Sequence, residues 1–198
     1  FIEVALDNNV HDDSFPNLGS MGYGAAWGDY DNDNDFDLYL SNWGINRLLR
    51  NDLDGFYDVT DVYNVFSDSL SNGAAWGDFN NDGNLDLWAG NIRRRDDVYL
   101  NDGPVEWSNE YSPEFSTATQ DIVACDYNGD GWLDAFTPGL EMINPPAGPR
   151  YTSLLYKNVT PDTIGGAFNW IKINLEGANN SILNNGWSEK SNKSAIGL

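Results

Sequence analysis

Asp29, Asp31, Asp33 and Asp37 stand at positions 1, 3, 5 and 9 of a short polar loop, and the same pattern of side-chain oxygens returns twice. The second loop offers Asp78, Asn80, Asp82 and Asp86, and the third offers Asp126, Asn128, Asp130 and Asp134. Alternate residues of an extended segment point the same way, so positions 1, 3 and 5 can converge on one point as the chain turns around it. The main-chain carbonyl at position 7 (Asp35, Asn84 and Trp132) and the position 9 carboxylate then complete about six or seven oxygens. Such a set suits calcium, which accepts irregular oxygen shells at about 2.3–2.6 Å, better than magnesium, which demands a regular octahedron and keeps its waters. No loop contains Cys or His, which argues against zinc, copper and iron. The expectation is one calcium ion per loop, three in all. The chain must turn sharply at position 6, which is Gly83, Gly131 or Asn34, the residue types that best tolerate the left-handed region.

An EF-hand or dockerin-like loop is the obvious rival. It needs an acidic residue at position 12, where this chain has Leu40, Ala89 and Thr137. Its flanks would also be helical, whereas Ala25, Ala26 and Trp27 on one side and Leu38, Tyr39 and Leu40 on the other read as strands. Plain polar hairpin turns are the other rival, because Asp, Asn and Gly dominate turns in any case. Three copies in one register favour the metal loop. Their first aspartates, Asp29, Asp78 and Asp126, lie 49 and 48 residues apart, a period that marks an array or propeller of one repeated unit.

The stretch GAAWGDYDNDNDFDLYL, followed by NRLLRNDLDGFYDVT at residues 46–60, resembles the FG-GAP or VCBS repeat. Similar repeats build the propeller of integrin alpha subunits and of many secreted bacterial proteins, and the resemblance covers about residues 1–160. It implies a calcium-stabilised module for protein binding, adhesion or self-assembly. The tail carries a second resemblance. NWIKINLEG (169–177) and SNKSAIG (191–197) look like the opening of the ASPIC/UnbV domain that follows such repeats in cartilage acidic protein-like chains. ANNSILNNGWSEK, between those pieces, is longer than that domain leads one to expect.

The fold expected is all-β, a partial β-propeller of about three four-stranded blades with a calcium loop between the first and second strands of each. Residues 1–22 hold the last strand of a preceding blade, FIEVA, which matches FYDVT at 56–60, and a linker. Blades follow at 23–72, 73–120 and 121–165, and 166–198 begin the ASPIC/UnbV-like segment. In the first blade the strands are expected at 24–27, 37–40, near 47–50 and near 56–60. In the second they run from 73 through 87–89 and 98–100 to 105–111. In the third they run from 122 through 135–137 to 153–157, merging into 170–175. The Gly-Ala-Ala strand should lie innermost, near a crowded axis. Three units and one stray strand do not close a ring, which points to a longer propeller or to protomers that complete one another.

A net charge of −21 is self-repelling in a compact domain. Eleven acidic side chains sit in the three loops, so three calcium ions would cancel charge where repulsion is worst. This acidity argues against nucleic acid, which is bound through Lys and Arg. Hydrophobic residues at 40% and aromatics at 14% suffice for a buried core. No apolar run approaches the 18 residues of a membrane span. Cys125, the single cysteine, cannot form an intrachain disulfide and replaces Gly28 and Gly77, so a tightly packed strand is its expected place. Weak calcium modules work at extracellular calcium levels, so an extracellular or cell-surface location is expected. The start at Phe1, with no initiator Met or signal peptide, suits a mature or trimmed product. Sequons stand at Asn158, Asn179 and Asn192, the first followed by Pro161.

Trp27 and Trp76 are equivalent and should pack between blades. Trp43, Trp88, Trp107 and Trp187 have no obvious repeat equivalents and are the candidates for a binding surface, including a glycan-stacking one. His11, in VHDD, reads as solvated, and the run Arg93, Arg94, Arg95, Asp96, Asp97 reads as a solvated hairpin tip. A non-enzymatic binding or assembly module, with protein or self as partner, is the leading expectation. A carbohydrate-binding propeller is the alternative. A fragment of a secreted enzyme ranks last, because the repeated carboxylates are committed to metal and the one His and one Cys lie far apart in sequence.

Overall fold

The computed structural model describes residues 22–67, 70–92, 94–104, 107–111, 118–139 and 153–159. The described residues form eleven strands in three antiparallel sheets and no helix. β1 (Gly22–Gly28), β2 (Asp37–Asn42), β3 (Arg47–Asp52) and β4 (Gly55–Asp58) make the first sheet in chain order. β5 (Ser71–Gly77), β6 (Asp86–Asn91), β7 (Asp97–Leu100) and β8 (Ser108–Tyr111) repeat that order in the second. The third sheet comprises β9 (Val123–Cys125), β10 (Asp134–Pro138) and β11 (Ser153–Tyr156). This is the partial propeller expected. The stray strand at 1–5, the strand at 170–175, His11, Trp187 and the ASPIC/UnbV-like tail lie outside the described residues.

Register is the same in all three sheets. The residue before the first loop ligand pairs with the position 9 aspartate: Gly28 with Asp37, Gly77 with Asp86, and Cys125 with Asp134. Because side chains alternate across a strand, this shared register gives every sheet one face toward the sheet before it and one toward the sheet after it. We call these the leading and trailing faces. The trailing face of the first sheet supplies Tyr30, Tyr39 and Leu48 to a buried cluster, joined by Tyr63 and Val65. The leading face of the second answers with Trp76, Leu87, Ala89, Tyr99 and Trp107. At the next junction Phe79, Trp88 and Val98 meet Ile122, Ala135, Leu133 and Tyr156.

The small-residue strands run side by side, as expected of innermost strands. A Cβ added to Gly24 would lie 2.0 Å from the Asn72 carbonyl oxygen of β5, so only glycine permits that approach. Trp76 packs between sheets as expected, whereas Trp27, expected to do the same, is 57% exposed. Trp88 and Trp107 also pack between sheets, contrary to their reading as binding-surface candidates. They do have repeat equivalents, Tyr39 and Phe56, and the change of aromatic type hid them. Trp43 is half exposed and stacks on Tyr23 at 5.1 Å.

Cys125 corrects a second expectation, for it is exposed. Gly28 lies under Trp76 and Gly77 under Leu133, where a Cβ would meet them at 2.7 and 2.8 Å. Among the described residues no following sheet covers the third, so the same strand position there is open.

The supposed solvated tip is corrected as well. Arg95 is exposed, but Asp96 and Asp97 are buried, and Arg94 pairs with Asp97 and donates to Ser67 Oγ at 2.7 Å. The reason is a polar pin between sheets. Asn46 Oδ1 accepts the Asn42 N–H at 2.9 Å, while its Nδ2 donates to Ser71 Oγ of the next sheet at 2.9 Å. At the second junction Asp96 takes this place, accepting the Asn91 N–H at 2.9 Å and the Thr119 hydroxyl at 3.1 Å.

The pins differ in charge. Burial pushes the Asp96 carboxyl up to about 6. A carboxyl raised in the fold stabilises the protein at pH below its unfolded value, and that contribution is lost as pH rises through the folded value. Asp96→Asn, which copies Asn46, should therefore gain on the parent by on the order of 2 kcal/mol between pH 4 and 7. Parallel denaturant titrations across that range check this; equal pH slopes for the two proteins would refute it.

Candidate metal centre

Each polar loop is folded around its first aspartate. Asp29 accepts the N–H groups of Asp33 and Asn34 on its two oxygens at 3.0 and 3.1 Å. Asp78 accepts those of Asp82 and Gly83, both at 3.0 Å. Asp126 accepts those of Asp130 and Gly131 at 3.1 and 3.0 Å. The position 5 carboxylate in turn accepts the N–H of position 7, in Asp35, Asn84 and Trp132, at 2.8–3.0 Å. Position 3 joins in the second and third loops, where Asn80 and Asn128 accept the N–H of position 5. One hydrogen-bond pattern thus recurs in three loops of different sequence.

The backbone supports it. Position 6 has positive φ in every copy, at 75° for Asn34, 95° for Gly83 and 90° for Gly131, as the sequence predicts. Position 4 is left-handed too, at 60° for Asn32, 57° for Asn81 and 77° for Gly129. Sequence reasoning missed that second turn, although Asn, Asn and Gly at position 4 carry the same signal.

Position 9 has a structural task besides any ligand role. Asp37 Oδ2 accepts the Tyr30 N–H at 3.1 Å and its Oδ1 accepts the Asn51 N–H at 2.9 Å. Asp86 holds the N–H groups of Phe79 and Asn101, and Asp134 those of Tyr127 and Asn158. All three aspartates are buried, and each ties its loop to the end of the third strand. Those strand-end asparagines were not foreseen. Asn101 and Asn158 reach back with Nδ2 to the carbonyl of Tyr30 or Phe79 on the preceding sheet, at 2.9 and 2.7 Å. The sequon at Asn158 therefore presents an amide already engaged.

In the first loop, one carboxylate oxygen each from Asp29, Asp31 and Asp37 lies within 4.8 Å of the others. Asp33 and Asp35 stand outside that trio. In the second and third loops position 3 is an asparagine, and the candidates Asp78, Asn80, Asp82, Asp86 and Asp126, Asn128, Asp130, Asp134 are held in one loop each by the bonds above. Electrostatics fits a cation at the first loop. Burial, and then the charges of Asp33 and Asp29, push the Asp31 carboxyl up. Burial, joined by the charges of Asp31 and Asp33 at Asp37 and of Asp82 and Asp78 at Asp86, outweighs two N–H donors and raises each to about 6. Negative charge is concentrated there without enough positive charge to balance it.

Positions 5 and 9 should separate in chelator, where only the protein's own bonds act. Asp86→Ala leaves two buried N–H groups without their acceptor and should cost about 3–5 kcal/mol. Asp82→Ala, in the exposed part of the loop, should cost about 1 kcal/mol or less. Equal losses in urea melts with excess chelator would mean that position 9 is not the structural anchor.

No curated protein matches the chain. Residues 78–137 match the profile of the FG-GAP-like repeat, from the first aspartate of the second loop to the second strand of the third sheet, which supports the FG-GAP repeat family for this chain.

Proposed function

We propose that this chain is a calcium-stabilised, extracellular β-propeller module for protein binding, adhesion or self-assembly. The observation that carries the proposal is the hydrogen-bond pattern shared by the three loops. In it the position 1 and position 5 carboxylates hold loop N–H groups, and the position 9 carboxylate ties the loop to the third strand. With it go the oxygens of Asp29, Asp31 and Asp37, which lie within 4.8 Å of one another in the first loop. An FG-GAP-like repeat at residues 78–137 supports the adhesion-type reading. Calcium would be held by Asp29, Asp31, Asp33 and Asp37 in the first loop and by the matching residues in the others, with the carbonyls of Asp35, Asn84 and Trp132. Bound there, it supplies positive charge; the loops themselves supply the turn, the oxygens and the attachment to the sheet.

The ion is proposed to be structural. Each loop uses its position 1 and position 9 carboxylates to fix its own backbone, so the ligands are part of the turn that they stabilise. That commitment also underlies the proposal of a non-enzymatic module. Millimolar calcium outside the cell matches sites of the weak modular type, at about 10⁻⁴–10⁻³ M. Residues 166–198 are proposed to begin an ASPIC/UnbV-like segment, on the strength of NWIKINLEG and SNKSAIG.

Calcium titration by calorimetry should give one ion per loop. At a calcium concentration 100 times the dissociation constant, the linked stabilisation is about 2.7 kcal/mol per site. Excess chelator should therefore lower the melting temperature markedly, and magnesium should not restore it. Asp82→Ala should remove one ion and leave the others, because each loop is closed by its own bonds. A melting curve indifferent to both calcium and chelator would overturn the proposal.

A further inference from the structure

We propose that the junction of the first and second sheets carries, at its loop edge, a binding site for one neutral sugar ring. A cavity of about 220 Å³ opens there. Tyr30, Asp31 and Asn32 of the first loop line it, with Tyr63 after β4; Asn84 of the second loop and Pro104 after β7 line it from the second sheet. The aromatic rings of this junction, Tyr30, Tyr63 and Trp107, are already packed at 5.4 Å from one another. The cavity is therefore what remains after the junction has filled its core.

Part of the lining is fixed by the fold. Asn101 Nδ2 donates to the Tyr30 and Leu85 carbonyls at 2.9 and 3.2 Å, and its Oδ1 accepts the Gly103 N–H at 3.1 Å. Asn84 Nδ2 donates to the Asn101 carbonyl at 3.2 Å, which leaves its Oδ1 as an acceptor. Other polar groups are not committed. The Tyr30 hydroxyl is buried beside Tyr63 and forms no hydrogen bond of normal geometry, a rare condition for a buried donor. Asn32 differs from its repeat equivalent. In the second loop Asn81 Nδ2 donates to the Gly131 carbonyl of the third loop at 3.1 Å and so bridges the second junction. Asn32 makes no such bridge to Gly83, and its exposed amide is left at the cavity. One junction is latched loop to loop; the other holds the same asparagine at an open cavity.

The chemistry of the lining selects the ligand. Amides and phenols both donate and accept, as do the neighbouring hydroxyls of a sugar ring. Tyr30, Tyr63 and Pro104 add apolar surface for the C–H groups of such a ring. Asp31, with Asp29 and Asp33 beside it in a chain of net charge −21, repels phosphates and carboxylates. A cation is disfavoured for a different reason, which rests on calcium as proposed for this loop. Asp31 is the one carboxylate among the described lining residues, and the proposed calcium would take it. The volume falls below the roughly 300–1,000 Å³ of clefts for drug-sized ligands, which suits a single ring.

The test uses the 198-residue chain in saturating calcium, with neutral methyl glycosides and the matching free sugars as probes. Methyl glucuronide and lysine amide are the charged controls. In saturation-transfer NMR at least one neutral probe should bind, with about millimolar strength, and neither control should. Methyl glycosides that bind as well as free sugars would assign the site to the end of a glycan, and a preference for the free sugar to a soluble ligand. Asn32→Gly keeps the left-handed backbone of Asn32, at φ 60°, and removes its amide. Tyr63→Phe removes one hydroxyl and keeps the ring. Each should weaken sugar binding about fivefold to tenfold and leave the calcium stoichiometry unchanged. Asn81→Gly removes the same amide from the second loop and should leave sugar binding as it is. No neutral binder at about 20 mM would overturn the proposal, as would binding that both Asn32→Gly and Tyr63→Phe retain in full, or binding of a control in place of the sugars. Calcium uptake is read separately by calorimetry, so a chain that takes up calcium and no sugar refutes this proposal and leaves the calcium reading standing.

Discussion

The buried aspartate at position 9 of each loop is the constraint on which the rest of the structure depends. Its two oxygens hold one N–H from the start of the loop and one from the end of the third strand, so loop, second strand and third strand share a fixed point. Asp37, Asp86 and Asp134 also pair across the sheet with the residue just before the loop. A shift of one residue would place a carboxylate among apolar side chains of the junction. Burying it costs enough, even with two donors, to raise the carboxyls of Asp37 and Asp86 to about 6. The turn and the register are therefore set by the same side chain.

From that fixed register follows the division of each sheet into a leading and a trailing face. Apolar packing between sheets, with Tyr30, Trp76 and Trp107 at its centre, gives the main driving force, since burial of large aromatic rings dominates such contacts. Polar groups then fix the relative position of neighbours. Asn46 and Asp96 reach forward to a hydroxyl on the next sheet, and Asn101 and Asn158 reach back to a carbonyl on the preceding one. Each of these groups is satisfied only when two sheets meet in one way. Specificity of stacking thus comes from short polar side chains rather than from the apolar surface they interrupt.

Charge is handled locally. Three loops rich in carboxylate sit at the first turn of each sheet, and the chain offers few cations to offset them. Arg47 and Arg50 pair with Asp58 and Asp52 on the third and fourth strands, and Arg50 also offsets part of the charge at Asp31. The loops instead spend their acceptors on their own N–H groups. The proposed calcium would relieve the repulsion of these carboxylates without requiring a donor from elsewhere in the fold.

The amino-acid sequence by itself determined the repeat, the strands, the turn at position 6 and the pattern of side-chain oxygens in the loops. All of these are local, set by alternation within a strand or by the φ preference of Gly and Asn. The 49- and 48-residue spacing further disclosed that the units share one register. Only the tertiary structure decided what faces what. Trp88 and Trp107 read as surface residues because their equivalents are Tyr39 and Phe56, and conservation of size within a junction is invisible along the chain. Asp96 and Asp97 read as a solvated tip because the hydroxyl that receives Asp96 belongs to the next sheet, 23 residues on. Cys125 read as tightly packed because two glycines at its position are; its exposure depends on the sheet that follows, which no property of its own strand specifies. Burial in this architecture is a relation between sheets, and a side chain's own neighbours in sequence do not carry it.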